Sequence, residues 1–227
     1  AVDHLGFGLS DKPADASYTP EDHARRLEHF IDSMGLRNIT LVVHDFGGPI
    51  GLSYAVAHPA NVKRLVLFNT WMWSLAGEPR ARMADRLVRG PLGDFLYRTL
   101  NASPRFLLPQ VMADKSMLTP ALHQQYLRPF PTSGSRTGLL ALARALVESS
   151  VWYDSLWEKR TVLHNIPALL LWGMRDVTFS PNDLQRWQTV FAKCETVPFP
   201  EAGHFVQEEA ETDVLNGTIE RFIDSNS

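Results

Sequence analysis

The sequence predicts an α/β protein whose mostly parallel sheet carries helices on both faces, and three observations lead there. Apolar runs of strand length, Ile39 to Val43, Val62 to Phe68 and Ala168 to Trp172, alternate with helix signals. The runs lack the polar alternation of a half-wetted sheet, as strands covered on both faces do. Glycine and proline punctuate the elements, as at Gly35 and Pro59.

Thr19-Pro20-Glu21-Asp22 opens the first helix, with a Thr cap, Pro at the first helical position and acids in the first turn. That helix runs to about Met34 and Gly35 ends it. Strand Ile39 to Val43 follows, then a helix from Pro49 to His58 closed by Pro59, then strand Val62 to Phe68. From about Ser74 to Arg160 the pattern is helical, cut into short pieces by Pro91, Pro104, Pro109, Pro120, Pro129 and Pro131. Strand Ala168 to Trp172, a helix from Ser180-Pro181 to about Phe191, strand Glu195 to Phe199 and a closing helix ending near Ile223 complete the chain. The division expected is a core in two parts, 1–73 and 161–227, around a helical insertion, 74–160.

Composition bounds the function. The 227 residues are 44% hydrophobic and 21% charged, enough for one substantial core plus an insertion. A net charge of -3 without a long basic run leaves no footprint for nucleic acid. No apolar stretch reaches the roughly 20 residues that span a bilayer, and the single Cys194 excludes an intrachain disulfide and fits a reducing, cytoplasmic setting. Neither metal-ligand spacing nor a glycine-rich phosphate loop is present, so no cofactor and no metal are expected. Oligomeric state stays open.

The chemistry concentrates at Leu41-Val42-Val43-His44-Asp45-Phe46-Gly47-Gly48-Pro49, where a strand runs into an aspartate flanked by a histidine and two glycines. A sharp strand-to-helix turn of this kind lifts one side chain clear of the sheet and leaves backbone N–H groups beside it. A carboxylate there attacks saturated carbon and forms an ester that water must later open; Asp45 also fits the plainer role of a helix cap. Two later segments favour chemistry. The strand from Ala168 ends in Gly173-Met174-Arg175-Asp176, and Glu201-Ala202-Gly203-His204-Phe205 places a histidine in a glycine-marked loop. Nucleophile, acid, histidine is the chain order of α/β-hydrolase triads.

With these motifs, Leu5-Gly6-Phe7-Gly8-Leu9-Ser10-Asp11-Lys12-Pro13, Asn69-Thr70-Trp71-Met72-Trp73 and His204-Phe205-Val206-Gln207-Glu208-Glu209, the chain resembles the haloalkane dehalogenases of the α/β-hydrolase superfamily. The resemblance runs through essentially the whole chain and is most similar to the branch called subfamily III. It implies an α/β-hydrolase fold with a helical cap over the active site, Asp45 as nucleophile, His204 as base and Asp176 as its acid, Asn69 being unable to serve as an anionic partner. Phe46 stands where most of the family has a tryptophan whose indole N–H holds the halide; its backbone N–H is the oxyanion candidate. Phe46, Trp73, Phe106, Trp152 and Phe205 are candidates for the halide and substrate pocket, and Phe95, Phe130 and Trp157 for the cap's apolar lining. Arg136 and Arg144 read as solvated or paired. The family's strands and His-Gly-x-Pro loop before the segment matching Leu5 have no counterpart here, so the complete gene product is expected to begin upstream.

The implied reaction takes a small apolar halogenated substrate to alcohol, halide and a proton through an ester on Asp45. An epoxide hydrolase shares Asp45, Asp176 and His204 but needs phenol donors, for which Tyr97, Tyr126 and Tyr153 are available. An inactive or truncated hydrolase-like fragment is the reading outside enzymes. Without an upstream neighbour, strand Ile39 to Val43 is expected to expose an apolar edge prone to aggregation.

Overall fold

The computed structural model describes residues 1–226. Four strands, β1 (Ile39–Asp45), β2 (Val62–Thr70), β3 (Ala168–Gly173) and β4 (Cys194–Phe199), form one sheet in the order β1-β2-β3-β4. Every pair is parallel. Helices α1 (Pro20–Ser33) and α2 (Gly47–Ala57) precede β2, and α9 (Pro181–Gln188), α10 (Val206–Glu209) and α11 (Thr212–Ser225) lie among the later strands. The α/β expectation is borne out.

Strand periodicity sorts the core into two layers. On β2 and β3, Leu65, Leu67, Ala168, Leu170 and Trp172 pack into a cluster with Ile31 of α1, Leu52 of α2 and Trp187 of α9. The alternate residues Val66, Phe68, Leu169 and Leu171 meet Val206 of α10 and Leu215 and Phe222 of α11. Leu65, Leu67, Leu169, Leu170 and Leu171 are fully buried. Each contributes about 1.5–3 kcal/mol by removal from water.

The predicted boundaries move by a few residues, for local reasons. Thr19 caps α1 through its hydroxyl and Gly35 follows the helix at φ +60°. Helix α2 starts at Gly47, because Pro49 falls in the first turn, where its missing N–H is not needed. Helix α9 stops at Gln188, and the next residues tighten into a turn in which Val190 N–H bonds the Trp187 carbonyl.

Between β2 and β3 the chain forms α3 (Pro79–Arg89), α4 (Pro91–Asp94), α5 (Leu108–Val111), α6 (Pro120–Leu127), α7 (Thr137–Glu148) and α8 (Ser150–Glu158). The prolines act as starters more than breakers: Pro79, Pro91 and Pro120 are each the first helical residue. Arg136 donates to the carbonyls of Arg98, Thr99, Phe130 and Pro131, tying three turns together. Arg144 bonds the Val88 carbonyl and the Asp94 carboxylate.

Strand β1 lies at the edge of the sheet among the described residues, and Val42 is 57% exposed. Its free side offers a row of N–H and C=O groups beside an apolar face, a template for pairing with another chain. Val42→Lys is expected to delay aggregation of this chain on heating, with a stability change within about 0.5 kcal/mol. Light scattering alongside a denaturant melt checks both halves; unchanged aggregation would move the liability elsewhere.

Candidate active site

Parallel pairing brings the carboxyl ends of all four strands to one edge of the sheet, where open α/β sheets place their ligands. Asp45 is the last residue of β1, Asp176 lies just beyond β3 and His204 just beyond β4. Asp45 takes φ +47°, a strained left-handed conformation for a non-glycine residue. The turn is held by Thr70, paired with Asp45 in the ladder, whose hydroxyl donates to the Asp45 carbonyl at 2.6 Å. Gly48 lets the helix begin there, since a Cβ would sit 1.8 Å from Thr70 Oγ1. At Gly173 a Cβ would sit 1.9 Å from the Gly203 carbonyl oxygen, so the β3 end and the His204 loop meet backbone to backbone.

The three side chains converge. His204 Nδ1 lies 2.8 Å from Asp176 Oδ2, and His204 Nε2 lies 4.0 Å from Asp45 Oδ1. Asp176 is held from three sides: its Oδ2 also accepts from Asn69 Nδ2 at 2.8 Å, and its Oδ1 accepts from the Thr178 N–H at 2.6 Å. With Asp176 accepting at Nδ1, the neutral His204 carries its proton there and turns a bare Nε2 toward Asp45. Burial draws the His204 pKa down, but the Asp176 hydrogen bond and the charges of Asp45 and Asp176 outweigh it, and the net shift is upward. Burial raises the Asp45 pKa, opposed by His204 and by a hydrogen bond from the Phe46 backbone N–H.

The histidine loop is pinned on both flanks. His204 N–H bonds the Val111 carbonyl at the end of α5, and the Gly203 N–H bonds Glu209 Oε2. Glu209 Oε1 accepts from the Asp114 N–H, and Tyr126 O–H donates to Glu208 at 2.5 Å. The inter-strand helical segment thereby grips the loop that carries His204.

Asp45, Phe46, His204 and Phe205 open on a cavity of about 460 Å³, within the usual range for small-molecule sites. Its wall comes largely from the helical segment, including Val88, Leu107, Leu139, Leu142 and Leu146, and is closed by Phe7 and Phe130. Among the described residues no Lys or Arg lines it, so nothing there matches a substrate carboxylate or phosphate.

Of the pocket candidates, Phe46, Phe205 and Phe130 line this cavity, whereas Trp73, Phe106 and Trp152 do not. Trp73 is 4% exposed and packs on Trp157 and Trp187 with the Arg186 guanidinium 4.3 Å from its ring. Phe106 points outward at 49% exposure, and Trp152 lines a separate surface hollow with Glu21 and Arg25. Phe95 and Trp157 are likewise outside the lining. Sequence reasoning missed Phe179 and Thr178, which line the cavity directly after Asp176, and the role of Asn69 as a donor to that carboxylate. The signal for Asn69 was its place at the end of a strand neighbouring the acid's.

Among the described residues no group of His, Cys, Asp and Glu could hold a metal ion, and no helix is long and apolar enough to cross a membrane.

A carboxylate raised on a strained turn, with histidine and acid at the ends of the following strands, defines the architecture of an α/β-hydrolase, and the family model described as alpha/beta hydrolase fold matches residues 1–211. Haloalkane dehalogenase 2 of Mycobacterium tuberculosis is 30% identical over 224 residues, covering 98% of this chain and 77% of that protein. A cis-3-alkyl-4-alkyloxetan-2-one decarboxylase of Shewanella oneidensis is 31% identical over 222 residues, covering 94% of this chain and 70% of that one. The crystal structure of a haloalkane dehalogenase from Agrobacterium tumefaciens superposes with a TM-score of 0.85 at 27% identity, over 99% of this chain and 79% of that one. The chain belongs to the haloalkane dehalogenase family within the α/β-hydrolase superfamily, and at that level it is a hydrolase.

Proposed function

We propose that this protein hydrolyses haloalkanes to alcohol, halide and a proton through an ester on Asp45. The observation that carries the reading is a carboxylate, not a hydroxyl, on the strained turn, 4.0 Å from His204 Nε2 and opening on an apolar cavity without a cationic side chain. Asp45 attacks the halogen-bearing carbon in line; the C–O bond forms as the C–halogen bond breaks and the electron pair leaves with the halide. His204 then takes a proton from water, whose oxygen adds to the Asp45 carboxyl carbon. Collapse of the adduct breaks the bond from that carbon to the alkoxide oxygen, which takes the proton from His204 and leaves as the alcohol, and the Asp45 carboxyl loses the released proton. The Phe46 N–H, the backbone donor next to Asp45 whose influence lowers the carboxyl pKa, supports the oxyanion of that second step. Residues 74–160 act as the cap that supplies most of the apolar wall.

Phe46 presents no side-chain N–H to a departing halide, only the weakly positive edge of its ring. That feature favours a second reading, in which the electrophile is a strained oxygen ring such as the oxetan-2-one in the name of the Shewanella relative. An epoxide hydrolase fits less well. Tyr126 faces the cavity but its hydroxyl is given to Glu208, and the Tyr153 hydroxyl is given to the Ala145 carbonyl. Tyr97 lines the cavity and burial raises its pKa, but with the other two hydroxyls committed it stands as a single phenol and not a pair.

The test is the intact mass of His204→Ala protein after exposure, separately, to a dibromoalkane, an aryl epoxide and a cis-3,4-dialkyl oxetan-2-one. A bromide adduct mapping to Asp45 supports dehalogenation. An adduct from an oxygen ring alone shifts the substrate class, and no adduct in folded protein favours the inactive-fragment reading.

A further inference from the structure

One more histidine lies against the site. His44, the residue before Asp45 on β1, sets its ring 4.5 Å from the His204 ring and 5.4 Å from Phe205. Its Nε2 lies 2.9 Å from the backbone carbonyl oxygen of His204. A carbonyl can only accept, so Nε2 carries the proton and donates. The protein packed around His44, with the adjacent His204, draws its pKa down to about 3, so the ring is neutral wherever His204 acts as a base.

With this bond the His204 peptide is held at both ends, its N–H by Val111 and its C=O by His44, while the side chain is held by Asp176. Of these restraints, only His44 ties the base directly to the strand that bears the nucleophile. The residue type follows from the task. A lysine or arginine there would place a positive charge beside His204 and depress its basicity, and a serine hydroxyl would be too short. A neutral imidazole is a long, stiff donor without charge.

We propose that His44 is a positioning residue for the second half-reaction: its Nε2–H fixes the His204 carbonyl, and with it the aim of His204 at the ester on Asp45. This rests on the ester reading above. Ester formation needs only Asp45 and a correctly seated substrate, whereas ester breakdown needs the base aligned, and misplacement by about 1 Å can cost on the order of 100-fold.

The experiment compares His44→Phe, which keeps an aromatic ring but loses the donor, with His44→Gln, which keeps a donor but loses the ring. Each is mixed with a dibromoalkane, its esterified fraction is followed by intact mass, and ester decay is timed after substrate is removed. His44→Phe is expected to form ester at a rate within about 2-fold of the parent and to lose it about 10- to 100-fold more slowly, so that ester accumulates; His44→Gln recovers most of the decay rate. Equal slowing of both steps, or decay slowed as much in Gln as in Phe, overturns the proposal. His204→Ala is run alongside. If it too traps no ester, the covalent reading has failed; if it traps ester while His44→Phe does not, the inference about His44 has failed. A measurement on the unaltered protein stands independent of variant folding: the ¹⁵N spectrum of the His44 ring must show a protonated Nε2 and a bare Nδ1 from pH 5 to 9, and a titrating ring or the opposite tautomer sinks the proposal.

Discussion

Asp45→Asn is expected to give a folded protein that forms no covalent adduct with any electrophile, with turnover reduced on the order of 10⁴- to 10⁶-fold. An amide oxygen is a poor nucleophile toward carbon, and the nearby Asp176 cannot replace the lost carboxylate, because it is spent on His204, Asn69 and Thr178. Stability should move the other way. The Asp45 pKa is raised in the folded protein because burial penalises its charge. A carboxylate with a raised folded pKa supports the fold below its unfolded value and loses that support as pH rises through the folded value. Asparagine carries no charge and tolerates the positive φ of this turn. The variant should therefore melt above the parent at neutral pH, and the gap should close in acid. Mass spectrometry after dibromoalkane exposure, with melts at pH 4 and pH 8, checks both expectations; an adduct on the Asp45→Asn variant that maps to any other residue would remove Asp45 from its role.

The sequence makes some parts of this molecule far easier to read than others. Asp45, Asp176 and His204 each announce themselves within a few residues, since a strand end followed by a glycine-marked turn is a local pattern, and parallel pairing then carries all three to one edge. The layer structure is legible for a similar reason: a short apolar run such as Leu169-Leu170-Leu171, closed by Gly173, reads as a strand covered on both sides, and all three leucines are buried. The cavity wall is assembled from many separate segments, and nothing local distinguishes a tryptophan that faces substrate from one that faces a neighbour. Trp73 follows the β2 strand end and looks like a pocket residue, but it packs edge to face on Trp157, with the cation of Arg186, more than a hundred positions later, over both rings. Asn69 shows the converse. By chemistry it cannot be the acid, and only the pairing of β2 with β3 shows that its amide supports the acid instead.

That support bears on the outcome of Asp176→Asn. Ester formation on Asp45 should stay within a few-fold of the parent, because neither attack on carbon nor halide departure involves Asp176. Ester breakdown should fall by about 10⁴-fold, the loss typical when the acid behind a catalytic histidine becomes an amide and the wrong tautomer is favoured. The rate change comes with a shift in pH dependence. Burial lowers the His204 pKa, and the largest opposing cause is its hydrogen bond to Asp176, followed by the charges of Asp45 and Asp176. Once Asp45 is esterified its charge is gone, so in the intermediate Asp176 is the chief cause still holding the pKa up. Removing that charge leaves burial dominant. The residual breakdown rate should therefore rise with pH through an inflection lower than in the parent, and fall only at more acid pH. Single-turnover decay of the ester, followed by mass from pH 5 to 9 in parent and variant, separates this from simple damage, which would lower the rate and leave the inflection in place. An unchanged inflection would mean that the Asp176 charge does not set the His204 pKa in the intermediate, and that the Asn69 amide and the Thr178 N–H hold Asp176 for structure alone.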